Sequence, residues 1–239
     1  MGTRAVASMF VASWILAGCY ESTFRTTEPD APVRPEVPEA PELPDAPDIP
    51  EEPPTCDDVG PDGLGIPPTD DASTARGNPD SNSGSSDGIW IRNNDGAGSP
   101  DAWEKDFLIR FDLSGIPAGT PIEAAWLRLY YYRWKDNDPA GRVLTLRRLT
   151  DTWSEDTVTW NTQPDASPDV SATDRVPGRV DEWMAWDVTG DVRDFLSGEK
   201  PNHGWILRDE VDWGTINIPM IYYRTKEHGE HVPCLVVSY

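Results

Sequence analysis

From Pro29 to Pro53 a proline falls at every third position without a slip: Pro29, Pro32, Pro35, Pro38, Pro41, Pro44, Pro47, Pro50 and Pro53. No α-helix or central strand tolerates that spacing, because each proline lacks an N–H and has its φ locked. A polyproline II helix has three residues per turn, so these rings stack along one edge. The next position is nearly always acidic (Asp30, Glu36, Glu39, Glu42, Asp45, Asp48 and Glu51), and like charges along a second edge extend the chain further. Such a segment is a semi-rigid spacer. At about 3.1 Å per residue it reaches roughly 80 Å. It divides the chain into a short N-terminal part and a long C-terminal one.

The N-terminal part reads as an export signal. Met1 to Arg4 carries a positive charge, and Ala5 to Ala17 is an uncharged run with Val6, Met9, Phe10, Val11, Trp14, Ile15 and Leu16. It falls short of the roughly 20 apolar residues that cross a bilayer and fits a signal-peptide apolar region. Leu16-Ala17-Gly18-Cys19 looks like a bacterial lipobox. The expectation is a signal peptide over residues 1–18, a lipid on Cys19 and a stalk over 19–54. Tyr20 stands where an aspartate would signal inner-membrane retention, which favours the outer membrane, at its periplasmic side or the cell surface. The lipid is the expected contact with membrane.

Of the three cysteines, Cys56 and Cys234 then remain, one at each end of residues 55–239. Export permits a disulfide between them. Two free thiols are the alternative, since sequence does not show whether the two Cα atoms approach within bonding range.

Residues 55–239 make one domain's worth of chain. The whole sequence has a formal net charge of −22. Residues 1–54 hold three basic and ten acidic side chains, which leaves 17 and 32, a net −15, for the rest. Such a surface repels nucleic acid, and a nucleic-acid partner is excluded on that ground and on export.

Short runs rich in β-branched and aromatic residues alternate with Gly, Pro, Asn and Asp clusters, the pattern of an all-β domain. The clearest strands are Gly88 to Arg92, Phe107 to Leu113, Ile122 to Trp134, Arg142 to Leu149, Met184 to Val188, Trp205 to Arg208, Ile216 to Tyr223 and Val232 to Tyr239. One short helix is expected, with Thr189 as N-cap, Asp191 in the first turn, Val192, Phe195 and Leu196 on one face, and Gly198 as the stop. Many strands with one helix point to a jelly-roll-type antiparallel β-sandwich.

Several ordered blocks carry a family resemblance: Leu108 to Thr120 running into Ile122 to Tyr130, Arg148 to Glu155 with Val158 to Pro164, Asp187-Val188-Thr189, Asn202-His203-Gly204, Tyr223-Arg224 and Val236 to Tyr239. Together they resemble the DNRLRE domain over most of residues 70–239. The resemblance implies a β-sandwich of secreted bacterial and archaeal proteins that often sits beside polysaccharide-degrading modules. Some members are classed as carbohydrate-binding modules with alginate as ligand. The Phe111 to Tyr130 stretch is also similar to TGF-β-type propeptides, sandwiches that bind protein.

Alternation along Ala124 to Trp134 puts Leu127, Leu129 and Tyr131 on a core face and Trp126, Arg128, Tyr130, Tyr132 and Trp134 on the other. Flat rings stack on pyranose faces, and an arginine bonds hydroxyls or a carboxylate bidentately, so the second row suits sugar recognition. The competing reading is that the row is the other half of a buried core. Arg128, Arg133, Lys135, Arg142, Arg147 and Arg148 form a basic island against Asp136 and Asp138. It keeps an acidic glycan in view beside a neutral one. Trp153 and Trp160 read as core, while Trp103, Trp183 and Trp213 lie near polar sequence.

Catalysis finds little support. Gly84-Ser85-Ser86-Asp87-Gly88 matches a nucleophile-elbow pattern but runs from a polar loop into a strand, without the helix that the elbow needs. His228 and His231 lack the zincin arrangement and a third ligand. No cofactor is expected. Asn93, Asn94, Asp95 and Ser99, and separately Asp136, Asn137 and Asp138, form oxygen-rich loops of the kind that can hold structural calcium. Neither matches the EF-hand pattern, so no ligands are assigned. The reading is a non-catalytic polysaccharide-binding module, with a protein-binding or structural role in the cell envelope as the alternative.

Overall fold

The computed structural model describes Cys56 and residues 63–93, 104–211 and 218–239. The expected signal peptide, Cys19, the proline stalk, Trp103, Trp213 and the calcium-like positions from Asn94 to Ser99 lie outside the described residues. No helix among the described residues is long and apolar enough to cross a membrane.

The domain is a two-sheet antiparallel β-sandwich with one α-helix, the class expected. In chain order the strands are β1 (Gly63–Ile66), β2 (Pro68–Ala75), β3 (Gly88–Ile91), β4 (Lys105–Phe111), β5 (Ala124–Lys135), β6 (Val143–Arg148), β7 (Ala172–Arg175), β8 (Glu182–Asp187), β9 (Trp205–Arg208), β10 (Met220–Arg224) and β11 (Cys234–Ser238). The helix α1 (Thr189–Ser197) follows β8. Five strands form one sheet in the order β2-β4-β9-β6-β7. The other six form a second sheet built on the long β5. β8 runs along one edge of β5, while β11 and β10 share its other edge end to end, opposite Ala124–Arg128 and Tyr131–Lys135 respectively. β1 and β3 complete that sheet beyond β11 and β10. Between β10 and β11 the chain leaves the sheet and reaches β2 of the other sheet, where the Lys226 N–H donates to Asp71 Oδ2 at 2.8 Å.

The inward rows of both sheets make one core, including Phe107, Ile109, Leu127, Leu129, Tyr131, Trp186, Trp205, Ile221 and Tyr223. Ala72, Leu108, Leu149, Trp153, Val158 and Ile206 form a second cluster on the outer side of the five-stranded sheet. Trp153 is therefore core as expected, its indole N–H donating to His203 O at 2.9 Å, whereas Trp160 begins a 3-10 turn without buried residues. Both charges of the Arg142–Asp209 ion pair are buried. Burial pushes the Asp209 carboxyl up to about 6 against the pull of Arg142.

Three strands escape the apolar pattern: β1, β2 and β7. β2 reads PTDDASTA, yet Asp71, Ser73 and Thr74 are buried. Two of those polar groups are bonded across the fold, Asp71 by Lys226 and Thr74 through its Oγ1–H to Gln163 Oε1 at 2.5 Å. α1 starts one residue earlier than expected. Val188 is the N-cap, and Thr189 is the first helical residue, its N–H and hydroxyl both donating to Asp187 Oδ1. Gly198 ends the helix at φ 78°, where its N–H reaches Phe195 O. That left-handed geometry favours glycine.

Cys56 and Cys234 form a disulfide, with their Cα atoms 6.1 Å apart. Cys234 stands opposite Arg128, so the bridge lies on the outer face of the six-stranded sheet.

Candidate functional site

Residues paired across neighbouring strands point to the same side of a sheet. Leu127, Leu129 and Tyr131 are buried inward, and Trp126, Arg128, Tyr130 and Tyr132 face outward, as alternation predicts. Trp134 is a correction. A β-bulge lets Tyr132 and Arg133 together oppose Tyr222, after which Trp134 falls opposite the core residue Ile221. An extra residue reverses every later side chain, so Trp134, though 41% exposed, leaves the row.

Neighbouring strands extend the row instead. Trp183 of β8 stands opposite Tyr130, and Tyr222 of β10 stands opposite Trp90 of β3. The result is a band of half-buried rings that crosses the sheet from edge to edge. Tyr130 meets Trp183 edge to face at 5.3 Å, and Tyr132 meets Tyr222 likewise at 6.0 Å. His231, carried back by the segment between β10 and β11, stacks on Tyr130 at 3.9 Å with 7° between the planes.

Cations are laid over these rings. Arg128 covers Trp183 at 5.2 Å, Arg133 covers Tyr222 at 5.0 Å, and Arg224 covers Tyr132 at 3.8 Å. Arg128 is only 6% exposed and lies beneath the surface. The Tyr130 and Tyr132 hydroxyls are held above the ordinary phenol range, first by burial. Both remain protonated donors at neutral pH. Tyr132 reaches across because Gly88 lacks a side chain: a Cβ there would sit 2.8 Å from the tyrosine hydroxyl.

Residues 64–239 match the model of carbohydrate-binding module family 96. The chain belongs to that family. No curated protein matches it. Within this family 96 module the band is the most extensive array of rings and cations on an outer sheet face among the described residues.

The basic island expected around β5 and β6 is dispersed in the family 96 module. Arg142 is buried against Asp209, Arg147 bonds Glu210, and Arg148 bonds Asp191 at 2.9 Å. Only Arg128 and Arg133 of that island join the band. Trp126 keeps its place on the outer face, opposite Val236 and Asp187. The sequence reading missed Tyr222, Arg224, His231 and Trp90 as members. The alternation Met220-Tyr222-Arg224 is visible in the chain, but its alignment beside Tyr132 is not.

Asp136, Asn137 and Asp138 form a turn. Asp136 pairs with Arg92 at 3.5 Å, Asn137 Oδ1 accepts from the Asp138 N–H, and Asp138 Oδ1 accepts from the Ala140 N–H. The Gly84–Gly88 segment leads into β3 rather than a helix, so the strand-to-helix frame of a nucleophile elbow is missing there. His228 donates locally from Nδ1 to Glu230 O at 2.9 Å, and His231 belongs to the band.

Proposed function

We propose that this chain is a non-catalytic polysaccharide-binding module, exported and lipid-anchored at Cys19 at the outer membrane. In this reading residues 19–54 hold the module off the lipid surface, and the outer face of the six-stranded sheet is the glycan platform. The observation that carries the reading is the band of Trp183, Tyr130, Tyr132 and Tyr222 with arginines laid over the rings. Ring faces take the C–H faces of pyranoses, and guanidinium groups take hydroxyls or carboxylates. With Arg133 and Arg224 flanking the rings, the band suits a neutral or an acidic glycan. Family membership and the Cys56–Cys234 disulfide support the carbohydrate class and an oxidising compartment. The protein-binding alternative calls for a broad apolar patch, and the exposed large apolar side chains among the described residues are Trp134, Val170 and Val211 alone.

The test is affinity electrophoresis of the full chain in gels carrying neutral, uronate-containing and sulfated polysaccharides. Retardation by a polymer, lost in Tyr132→Ala and Trp183→Ala and kept in Trp134→Ala, is the expected result. No retardation by any polymer rejects the reading; equal loss in Trp134→Ala rejects the placement of the site.

A further inference from the structure

Cys56 lies on the side of the sheet that carries the band. It is bonded to Cys234, which stands opposite Arg128 on the outer face. Gly65 of β1 stands opposite Val236, and Val236 opposite Trp126, so all three face outward. A Cβ at Gly65 would run into the Cys56 carbonyl. The missing side chain lets Cys56 lie directly on β1, and the disulfide pins it there. The residues just before Cys56 are therefore tethered beside Arg128, and Tyr130 and Tyr132 follow along β5. From Arg128 to Tyr132 is about 14 Å, at roughly 3.4 Å per residue of strand.

Asp48-Ile49-Pro50-Glu51-Glu52-Pro53-Pro54 is the segment within reach. In polyproline II form these residues span about 22 Å, at roughly 3.1 Å each. With three residues per turn, Pro50 and Pro53 share one edge, and Asp48 and Glu51 share the next. Proline-rich segments dock on aromatic-lined surfaces because their extended form is preset and costs little ordering. The band supplies matching rings in Tyr130, Tyr132 and Tyr222. It supplies matching charge as well. On the five-stranded sheet Arg110, Arg147 and Arg208 each meet a carboxylate. In the band neither Arg133 nor Arg224 meets one among the described residues, and Arg224 Nε is buried without a hydrogen-bond partner.

We propose that residues 48–54 lie across the band as an occupant supplied by the chain itself. The proline edge meets the tyrosine rings, and the carboxylates of Asp48, Glu51 and Glu52 pair with Arg133 and Arg224. A tether this short holds the segment at an effective concentration on the order of millimolar, so a weak contact is enough to populate it. The contact stands apart from the polysaccharide reading; its consequence rests on that reading. A glycan that uses the same rings must displace the segment, which lowers the affinity of the platform.

The experiment is fluorine NMR of the full chain labelled with 3-fluorotyrosine, each resonance being assigned by a single tyrosine-to-phenylalanine variant. Wild type is compared with a variant carrying Asp48→Ser, Glu51→Ser and Glu52→Ser together. Thermal melts of both proteins accompany the spectra. The resonances of Tyr130, Tyr132 and Tyr222 are expected to move in the variant, while those of the core residues Tyr131 and Tyr223 stay in place. In affinity electrophoresis the variant is expected to bind about two- to fivefold more tightly than wild type to any polymer that retards them. Band resonances that coincide in the two proteins overturn the contact. A difference that vanishes when wild type is diluted assigns the segment to a second copy and overturns the occupant within the chain. Moved resonances with equal glycan affinity overturn the displacement. Moved resonances with no retardation by any polymer reject the polysaccharide reading and leave the contact standing.

Discussion

The two outer faces of the sandwich carry similar residue types and treat them in opposite ways. On the five-stranded sheet, Leu108, Leu149 and Ile206 are closed over by the segment bearing Trp153 and Val158. The arginines there meet carboxylates: Arg110 meets Asp70 at 2.7 Å, Arg208 meets Asp106 at 2.8 Å and Arg147 meets Glu210 at 2.6 Å. On the six-stranded sheet, the arginines lie over rings and the rings remain half-exposed. One face consumes its aromatic and charged groups in stability. The other leaves its rings half-exposed, with Arg128 tucked beneath them, and is fastened at its margin by a covalent bond, Cys56–Cys234. A ring or a guanidinium is thus no signal of function by itself; what covers it decides.

The contrast can be broken from the covalent side first. Replacing Cys56 and Cys234 together by serine opens a closure spanning 178 residues, and the chain-entropy model assigns such a loop about 5 kcal/mol. Denaturant unfolding of the double variant is expected to show a loss of that order. A loss below about 1 kcal/mol would mean that the bridge does not constrain the unfolded chain as the model assumes.

On the covered face, Trp153→Ala removes the centre of the second cluster and is expected to cost about 3–5 kcal/mol, read from the same unfolding curves. Below the melting temperature the remaining folded protein keeps its glycan affinity. A stability change under about 1 kcal/mol would place Trp153 among the open residues.

The segment between β10 and β11 joins the two sheets at Asp71, whose carboxyl burial raises to about 7 with help from Glu227 and Glu155 and against Lys226. The folded state therefore holds the proton more tightly than the unfolded chain, whose carboxyl titrates near 4. Stability from this group is fully present below pH 4 and declines as pH rises to about 7. Asp71→Asn is expected to flatten stability between pH 4 and 7 by about 4 kcal/mol, measured by melts across that range. An unchanged pH slope in the variant contradicts the assignment.

The open face predicts the smallest effects on stability and the clearest on binding. Tyr222→Ala and Trp183→Ala are expected to change unfolding free energy by about 1 kcal/mol and to weaken glycan binding about tenfold. Comparable losses of stability and affinity would erase the difference between the faces.

Much of the sandwich was legible because its strands are buried on alternate sides. Leu127, Leu129 and Tyr131 announced the core face of β5, and the helix announced itself through Val192 and Gly198. β2 was illegible for a stated reason: Asp71, Ser73 and Thr74 look like loop residues until distant groups, Lys226 and Gln163 among them, bring them into a buried strand. The outward row of β5 was legible over Trp126 to Tyr132 and broke at Trp134. Strict alternation holds only while the ladder is regular, and the bulge opposite Tyr222 ends it.

By itself the sequence determined the proline periodicity, the all-β class, the core face of β5, the charge of each part and the residues able to form a disulfide. These depend on local spacing and composition, which a single chain states directly. Tertiary structure decided that Cys56 meets Cys234, that Tyr132 lies beside Tyr222, that His231 stacks on Tyr130, that the arginines of β6 are consumed in ion pairs and that Trp134 turns away. Each is a matter of cross-strand register or of contact between residues far apart in sequence, and the free energy that sets those contacts belongs to the packed sandwich rather than to any segment of it.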